Sequence, residues 1–115
     1  MIIAGLLLDG QRLGSRVYVC ETFLERALGL WAQGPLMNDE LLRIAPCRAV
    51  HTLGLRIAID LVFVDRAGRV LDLVPALPPN RIASRWGAWA VWEAPAGWLQ
   101  SRPIRDGSRL ELCSA

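Results

Sequence analysis

Lysine is absent from this 115-residue sequence, histidine occurs once, and cysteine occurs three times. The cysteines, Cys20, Cys47 and Cys113, show no CxxC spacing, whereas a structural zinc site needs about four ligands at short, patterned intervals. With His51 as the single histidine, the sequence predicts no metal site. Three widely separated cysteines also give no paired disulfide framework, so reduced, buried thiols are expected.

Long hydrophobic runs are missing as well. The N-terminal stretch MIIAGLLLDG holds a short apolar run, and a membrane-spanning helix needs about 20 such residues. The stretch also lacks the basic segment and the small-residue cleavage site of a signal peptide. Asp9-Gly10 ends the run as a turn would. These features predict a soluble, cytoplasmic protein without a membrane span.

Charge of one sign is not in large excess, since the net charge is +2. All thirteen basic residues are arginine, and they form no basic run. A GC-rich genome would explain the bias, and arginine also suits bidentate contacts to carboxylates and phosphates. Arg81, Arg85 and Trp86 interleave as in a groove for single-stranded nucleic acid, but a barely basic chain does not favour that partner. An exposed Trp86, Trp89 or Trp98 would instead favour an apolar patch for a partner protein.

Turn signals recur along the chain and indicate strands between them. Asp9-Gly10 separates IIAGLLL from QRLGSRVYV, which is typical of a β-hairpin. AIDLVFVD predicts a strand in which Ile59, Leu61 and Phe63 face one way and Asp60, Val62 and Val64 the other. Residues 65–68 form the next predicted turn, and RVLDLV returns as a strand. RAVHTL, WGAWAVWEA and SRLELC are further predicted strands.

Helical signals are few. Thr22 followed by Glu25 forms a capping box, which predicts a helix of about two turns. NDELLRIAPC predicts a further short turn of helix, PALPPN a loop, and PAGWLQ a short helix or turn. The chain is therefore expected to form one domain over residues 1–115. Its predicted fold class is mainly β (α+β), a curved antiparallel sheet or small barrel of six to seven strands with one or two short helices.

The polar residues around His51 are the candidate site. Asp60 lies in an apolar strand, where an unpaired buried charge is very costly, so it needs a partner. His51, Arg56 and Arg48 are the candidates, and we expect an Arg56–Asp60 pair with His51 beside it. A catalytic Cys47–His51 pair is disfavoured, because four residues of extended strand separate the two by about 13 Å.

Several ordered motifs resemble the prokaryotic family called domain of unknown function 192, over residues 17–112. ETFLERALGL is similar to the family's T-xx-E-R-xx-G-L segment, and PCRAVHTLGLRIAIDLVFVDRAGRVL to its PC-xx-HTFGMRFPIDVVFLD-xx-G segment. LPPNR, VWEAPAG and IRDGSRLEL are similar to its remaining motifs. The departures are mostly apolar, such as Leu53 in place of an aromatic residue and Ala58 in place of proline. The resemblance implies a compact β-rich fold and no established activity.

The function expected from the sequence is a small, non-enzymatic module that binds a partner protein or a small ligand. The candidate ligand-binding residues are His51, Thr52, Arg56, Asp60 and Arg81, with the PALPPNR loop over them. The alternative is an enzyme that uses His51 and Asp60 as an acid/base pair. An enzyme needs a solvent-reachable His51, whereas a structural seam needs the pair buried and satisfied. No cofactor is predicted, nucleic acid is not the expected partner, and the oligomeric state is not specified.

Overall fold

A computed structural model of the chain describes residues 2–20, residue 22 and residues 36–115. Local sequence chemistry accounts for the first hairpin, because Asp9 and Gly10 both adopt positive φ, 50° and 83°, as a two-residue type I′ turn requires. The described part contains nine strands and one 3₁₀ helix. The strands are β1 Ile2–Leu8, β2 Gln11–Cys20, β3 Glu40–Ile44, β4 Ala49–His51, β5 Ile59–Val64, β6 Val70–Leu77, β7 Ile82–Ser84, β8 Ala90–Pro95 and β9 Leu110–Cys113, and the 3₁₀ helix is Leu99–Ser101.

Seven of these strands form one sheet in the order β6-β5-β8-β3-β2-β1-β9, and β4 and β7 form a separate two-stranded ribbon. The mainly β fold class is confirmed. All neighbours in the large sheet are antiparallel except β2 and β3, which are parallel. The connection between β2 and β3, residues 21–39, is long enough for parallel pairing, which needs a crossover of a dozen or more residues.

The large sheet curls until its two edge strands meet at one end. Arg69, just before β6, forms a β-bridge with Arg109, just before β9. Beside this bridge, Val70 donates its amide to Ser108 at 2.7 Å, and Leu110 donates to Gly68 at 2.8 Å. The contact is confined to this end, so the sheet is curved but not closed.

The alternation predicted for β5 is confirmed, and it divides the hydrophobic interior in two. Val62 and Val64 face an inner core that also holds residues of both edge strands, which shows that the curl encloses this side. Ile59, Leu61 and Phe63 face an outer core on the other side of the sheet. The ribbon covers part of the outer core through Val50 and Ala83. Both sides of β5 are therefore buried, which explains why all of its residues except Asp60 are apolar.

Two local predictions of secondary structure are wrong, and a third falls on residues that the structure does not describe. Residues 40–44 form strand β3 and not a turn of helix, because Leu41 and Leu42 are both buried on opposite sides of the sheet. Strand β6 continues through Pro75 to Leu77, where a loop was expected; this is an edge strand, and an edge tolerates proline. The helix predicted after Thr22 lies outside the described residues.

Candidate functional site

Asp60 is held by backbone amides and not by a charged side chain. Its carboxylate is only 1% exposed, on the inner side of β5. One oxygen accepts a hydrogen bond from the amide of Ala76 at 2.8 Å, and the other from the amide of Leu99 at 2.9 Å. No ion pair joins Arg56 to Asp60 in the described part of the chain, so the predicted Arg56–Asp60 pair is wrong. Two donors from distant segments satisfy the charge instead.

The amide of Ala76 is available to Asp60 because β6 is irregular at this point. The pairing of β5 with β6 shifts register between Ile59 and Leu61, and Ala76 has a positive φ of 49°. A bulge of this kind removes an amide from the ladder between strands and leaves it able to donate elsewhere. Asp60 supplies that acceptor and also fixes the start of the 3₁₀ helix at Leu99. Its role in this geometry is to join three segments of the fold.

Thr52, like Asp60, is a predicted site residue whose polar atoms form hydrogen bonds within the protein. Its side chain is fully buried, its hydroxyl donates to the carbonyl of Pro78 at 2.6 Å, and it accepts from the amide of Arg81 at 2.9 Å. Its backbone amide donates to the carbonyl of Arg81 at 2.8 Å, and its carbonyl accepts from Asn80 at 2.9 Å. Through these four hydrogen bonds Thr52 holds the PPNR segment in place.

His51 lies on the ribbon, away from Asp60 in the large sheet. Its imidazole is exposed, and Nδ1 accepts a hydrogen bond from the amide of Leu53 at 3.3 Å. The thiol of Cys47 donates to the carbonyl of Ala49 at 3.1 Å. Neither contact joins His51 to Cys47 or to Asp60. The five predicted site residues thus split into two groups: Thr52 and Asp60 are buried, while His51, Arg56 and Arg81 are exposed.

Of the exposed group, His51 lies on the ribbon itself, and Arg56 and Arg81 lie in the chain segments that adjoin its strands. Ala49 pairs with Ser84 and His51 pairs with Ile82, and all four side chains face solvent. Large apolar side chains in and next to the two strands are also exposed, with Ile82 at 72% and Trp86 at 83%. We call this surface the ribbon face, and its members are Ala49, His51, Ile82 and Ser84 together with the flanking Leu53, Arg56, Ile57, Arg81, Arg85 and Trp86.

Charge of one sign is concentrated in the chain that forms the ribbon face. Residues 46–58 and 78–89 contain four arginines and one histidine but no aspartate or glutamate. The whole chain has thirteen arginines against eleven acidic residues, so this local excess is not a property of the chain as a whole. The electrostatic potential of this surface is therefore expected to attract anionic groups.

Three tryptophans in and near these segments differ in exposure. Trp86 is exposed, whereas Trp98 is buried in the inner core and the guanidinium of Arg66 covers Trp89 at 4.1 Å from the ring centroid. An exposed tryptophan was the feature expected to favour an apolar patch for a partner protein, and Trp86 has that exposure. Trp86 lies in the turn after β7, and its carbonyl accepts a hydrogen bond from the Arg85 guanidinium at 2.6 Å.

Two buried ionisable residues did not emerge as candidates from the sequence. Glu93, on β8, is 4% exposed among outer-core residues, and burial raises the pKa of its carboxyl to about 7. Its Oε2 has no hydrogen-bond partner among the described residues. Arg43, on β3, is half-buried, and burial lowers the pKa of its guanidinium. The sequence feature that could have marked both residues is the one that marked Asp60, a charged residue inside an otherwise apolar strand.

The described residues meet neither the requirements of a metal site nor those of a membrane-spanning helix. Within residues 2–20 and 36–115 there is no group of three or more His, Cys, Asp or Glu side chains that could hold a metal ion. No helix in this part of the chain is long and apolar enough to cross a membrane. The cytoplasmic location expected from the sequence stays a prediction.

Solved structures show the same fold. A protein of unknown function from Novosphingobium aromaticivorans superposes with a TM-score of 0.81 at 23% identity, covering 95% of this chain and 84% of that one. A protein described as a putative transcription regulator from Sinorhizobium meliloti superposes with a TM-score of 0.83 at 16% identity, covering 96% of this chain and 94% of that one. At these identities the similarity establishes the fold alone.

Sequence relatives are similar over most of the chain. A UPF0127 protein of Pyrococcus furiosus is 28% identical over 107 residues, which are 89% of this chain and 90% of the relative. A UPF0127 protein of Thermococcus sibiricus is 28% identical over 101 residues, 84% of this chain and 65% of the relative. The family DUF192, described as an uncharacterized ACR, matches residues 6–112. The chain therefore belongs to the DUF192 family, as its HTLGLRIAIDLVFVD segment and neighbouring motifs indicated.

Proposed function

We propose that this protein is a non-enzymatic binding module whose ribbon face binds an acidic segment of a partner protein. The observation that carries the proposal is the combination of Ile82 and Trp86, which are largely exposed, with four arginines and no acidic residue in the same two chain segments. Exposed apolar side chains surrounded by polar ones are typical of protein interaction sites. Complementary charge would steer and orient the partner.

The geometry of the ribbon suits such a contact. His51 and Ile82 are directly paired across the two strands, so their side chains are neighbours on the exposed side. Val50 and Ala83 anchor the opposite side on the outer core. The ribbon therefore presents its exposed side chains from a supported backbone, which reduces the entropy lost on binding. Thr52 supports the same surface from below, since it holds the segment that carries Arg81.

The acid/base alternative lacks support in the observed contacts. It requires the imidazole of His51 beside the carboxylate of Asp60, and both carboxylate oxygens accept from Ala76 and Leu99. The imidazole lies on the ribbon, which is a different sheet. Of the predicted ligand-binding set, His51, Arg56 and Arg81 remain exposed for a partner, whereas Thr52 and Asp60 act within the fold.

An acidic protein segment fits the ribbon face better than nucleic acid does. Single-stranded nucleic acid is bound by several aromatic side chains that stack with successive bases. Trp86 is the one exposed aromatic residue on the ribbon face, while Leu53, Ile57 and Ile82 are aliphatic. Aliphatic side chains suit a partner that alternates acidic and apolar residues.

A binding titration tests the proposal directly. A fluorescein-labelled peptide in which Asp and Glu alternate with Leu and Phe is titrated with the protein, and fluorescence anisotropy gives the Kd. We expect Ile82→Asp to weaken binding about tenfold, because it removes a central apolar contact and introduces repulsion. Ile3→Asp is the control, since Ile3 is also an exposed isoleucine but lies on β1 of the large sheet, and it should leave the Kd unchanged.

Charge is tested with a second peptide, in which Asn and Gln replace Asp and Glu. This peptide should bind about tenfold more weakly, and binding of the acidic peptide should weaken as salt is added. The proposal is overturned if the two peptides bind equally, or if Ile3→Asp weakens binding as much as Ile82→Asp. It is also overturned if a single-stranded oligonucleotide binds the ribbon face more tightly than the acidic peptide.

A further inference from the structure

A second candidate site lies on the inner side of the sheet, at the end where the edge strands meet. A cavity of about 330 Å³ is bounded by the β5–β6 turn, by β9 and the residue before it, and by single residues of β3 and β8. We call it the edge cavity. The charged and aromatic residues of its lining are Arg43, Asp65, Arg66, Trp92, Arg109 and Glu111. The mouth of a curled or closed sheet is a frequent place for ligand sites.

Arg43 is a half-buried charged group of the edge cavity that has no counter-ion among the described residues. Residues of β3 alternate between the two cores, and Arg43 points to the inner side with Leu41 and with its cross-strand neighbour Trp92. Its guanidinium lies 5.7 Å from the centroid of the Trp92 ring. Among the described residues no carboxylate pairs with it, although it is half-buried. A partly desolvated guanidinium gains more from an anion than one in water does.

The acidic residues of the cavity are engaged elsewhere. Asp65 accepts hydrogen bonds from the amides of Ala67 and Arg69, both at 2.9 Å, which hold the β5–β6 turn. Glu111 pairs with Arg109 at 3.7 Å. The carboxylates therefore have their own partners, and neither one neutralises Arg43.

The remaining polar groups of the lining are mainly donors. Trp92 is 1% exposed, and its indole N–H has no acceptor among the described residues. Arg66 stacks on Trp89 through its guanidinium, and Arg109 also donates through Nε to the carbonyl of Ala67 at 3.2 Å. The indole nitrogen is itself buried, so the group on this wall that a ligand can reach is the guanidinium of Arg43 beside the Trp92 ring.

We propose that the edge cavity is a binding site for a small oxyanion, a carboxylate or phosphate group that binds the guanidinium of Arg43 against the Trp92 indole. Arginine matches both groups, because its planar guanidinium can donate two parallel hydrogen bonds to two oxygens. The volume accommodates a small metabolite-sized anion. This site is separate from the ribbon face, since the two share no residue.

The test follows the indole signal of Trp92 by ¹H–¹⁵N NMR, after assignment with Trp92→Phe. Inorganic phosphate and succinate are titrated separately into the protein, with sodium chloride at matched ionic strength as the control. We expect a saturable shift of the Trp92 signal with at least one of the two anions and none with chloride. The arm that responds identifies the group that the cavity recognises.

Variants separate a specific site from a general effect of charge. Arg43→Gln should weaken the anion about tenfold or more, because it removes a charged hydrogen-bond donor. Arg105→Gln removes an exposed arginine outside the cavity lining, and we expect it to leave the Kd unchanged. If Arg43→Gln does not fold, Arg43→Lys keeps the charge without the planar geometry and should weaken binding about threefold.

The proposal is overturned if neither anion shifts the Trp92 signal in a saturable way. It is also overturned if the Arg43 variants bind as tightly as the wild-type protein, or if Arg105→Gln weakens binding as much as Arg43→Gln. Because the ribbon-face titration uses a different probe and different variants, each site can fail without affecting the other.

Discussion

The carboxylate of Asp60 and the amide of Ala76 are joined by a hydrogen bond of 2.8 Å between a central strand and the bulge of an edge strand. The second carboxylate oxygen accepts from Leu99 at 2.9 Å, so one side chain holds β5, β6 and the 3₁₀ helix together. A buried charge in an apolar strand is costly unless it is fully hydrogen-bonded. Asp60 satisfies that condition with main-chain donors, which makes it a structural residue of the family's signature segment.

Replacement of Asp60 by asparagine should therefore destabilise the protein. The asparagine side chain keeps one acceptor oxygen and places an NH₂ group against the other amide. We expect the free energy of unfolding to fall by about 2–3 kcal/mol, as for the loss of a buried, charged hydrogen bond. Urea denaturation measures it. Asp106→Asn, at an exposed turn, is the control and should change the value by less than about 0.5 kcal/mol. An unchanged stability of Asp60→Asn would show that the two amides do not depend on the carboxylate.

Thr52→Val should loosen the PPNR loop. Valine has nearly the same shape but no hydroxyl, so the carbonyl of Pro78 and the amide of Arg81 lose their partner. We expect a loss of about 2 kcal/mol and faster hydrogen exchange of the Arg81 amide, measured by NMR. Thr52→Ser keeps the hydroxyl and should preserve the protection of that amide. Equal exchange rates in the two variants would contradict this role of the hydroxyl.

Gly68→Ala should disturb the end of the sheet where the edges meet. Gly68 has a φ of 87°, and an added Cβ would collide with the carbonyl oxygen of Leu110. We expect the free energy of unfolding to fall by about 1–3 kcal/mol, measured by urea denaturation. Gly14→Ala is the control, because nothing lies within 4 Å of an added Cβ there and its φ is not positive. A Gly68→Ala variant as stable as Gly14→Ala would mean that the two edges are not in close contact.

Glu93 should make stability fall as pH rises. Burial raises the pKa of its carboxyl to about 7 from an ordinary value of 4.5, so the folded state holds this proton more tightly than the unfolded state does. Below the ordinary value both states are protonated, and stability is unaffected. Between pH 4.5 and 7 the unfolded state releases the proton first, and stability decreases until it levels off above the folded-state pKa.

Glu93→Gln removes this titration and leaves a neutral group of similar shape. The difference in unfolding free energy between Glu93→Gln and the wild-type protein should grow by about 3 kcal/mol between acid and neutral pH. Urea denaturation over that range measures it, with Glu111→Gln, a partly exposed glutamate on β9, as the control. A difference that does not depend on pH would show that Glu93 ionises in the folded protein as it does in solution.

The strands that the sequence predicted best are those whose pattern is local. Ile59–Val64 alternates with a period of two, and Asp9-Gly10 supplies the positive φ that its turn needs, so both were recognisable from neighbouring residues. Glu40–Ile44 has a helix-favouring composition, yet pairing with β2 and β8 makes it a strand. Tertiary pairing overrides local propensity in such a short segment.

The partners of Asp60 could not be predicted from the sequence for a different reason. Its donors are amides 16 and 39 residues along the chain, and the first becomes available through the bulge at Ala76. The charged side chains His51, Arg56 and Arg48 were therefore the predicted partners. Arg56 and Arg81 were predicted as binding residues without knowledge of the ribbon that brings their segments together. Arg43 was missed because its strand was interpreted as helix.

A ¹H–¹⁵N NMR titration of the protein with the acidic peptide shows whether the ribbon face is the surface that binds. We predict that the largest shifts occur at the amides of residues 49–57 and 81–86, while those of β1 and β9 are unchanged. Saturable shifts confined to β1 and β9, or no shifts at all, would show that the ribbon face does not bind the peptide.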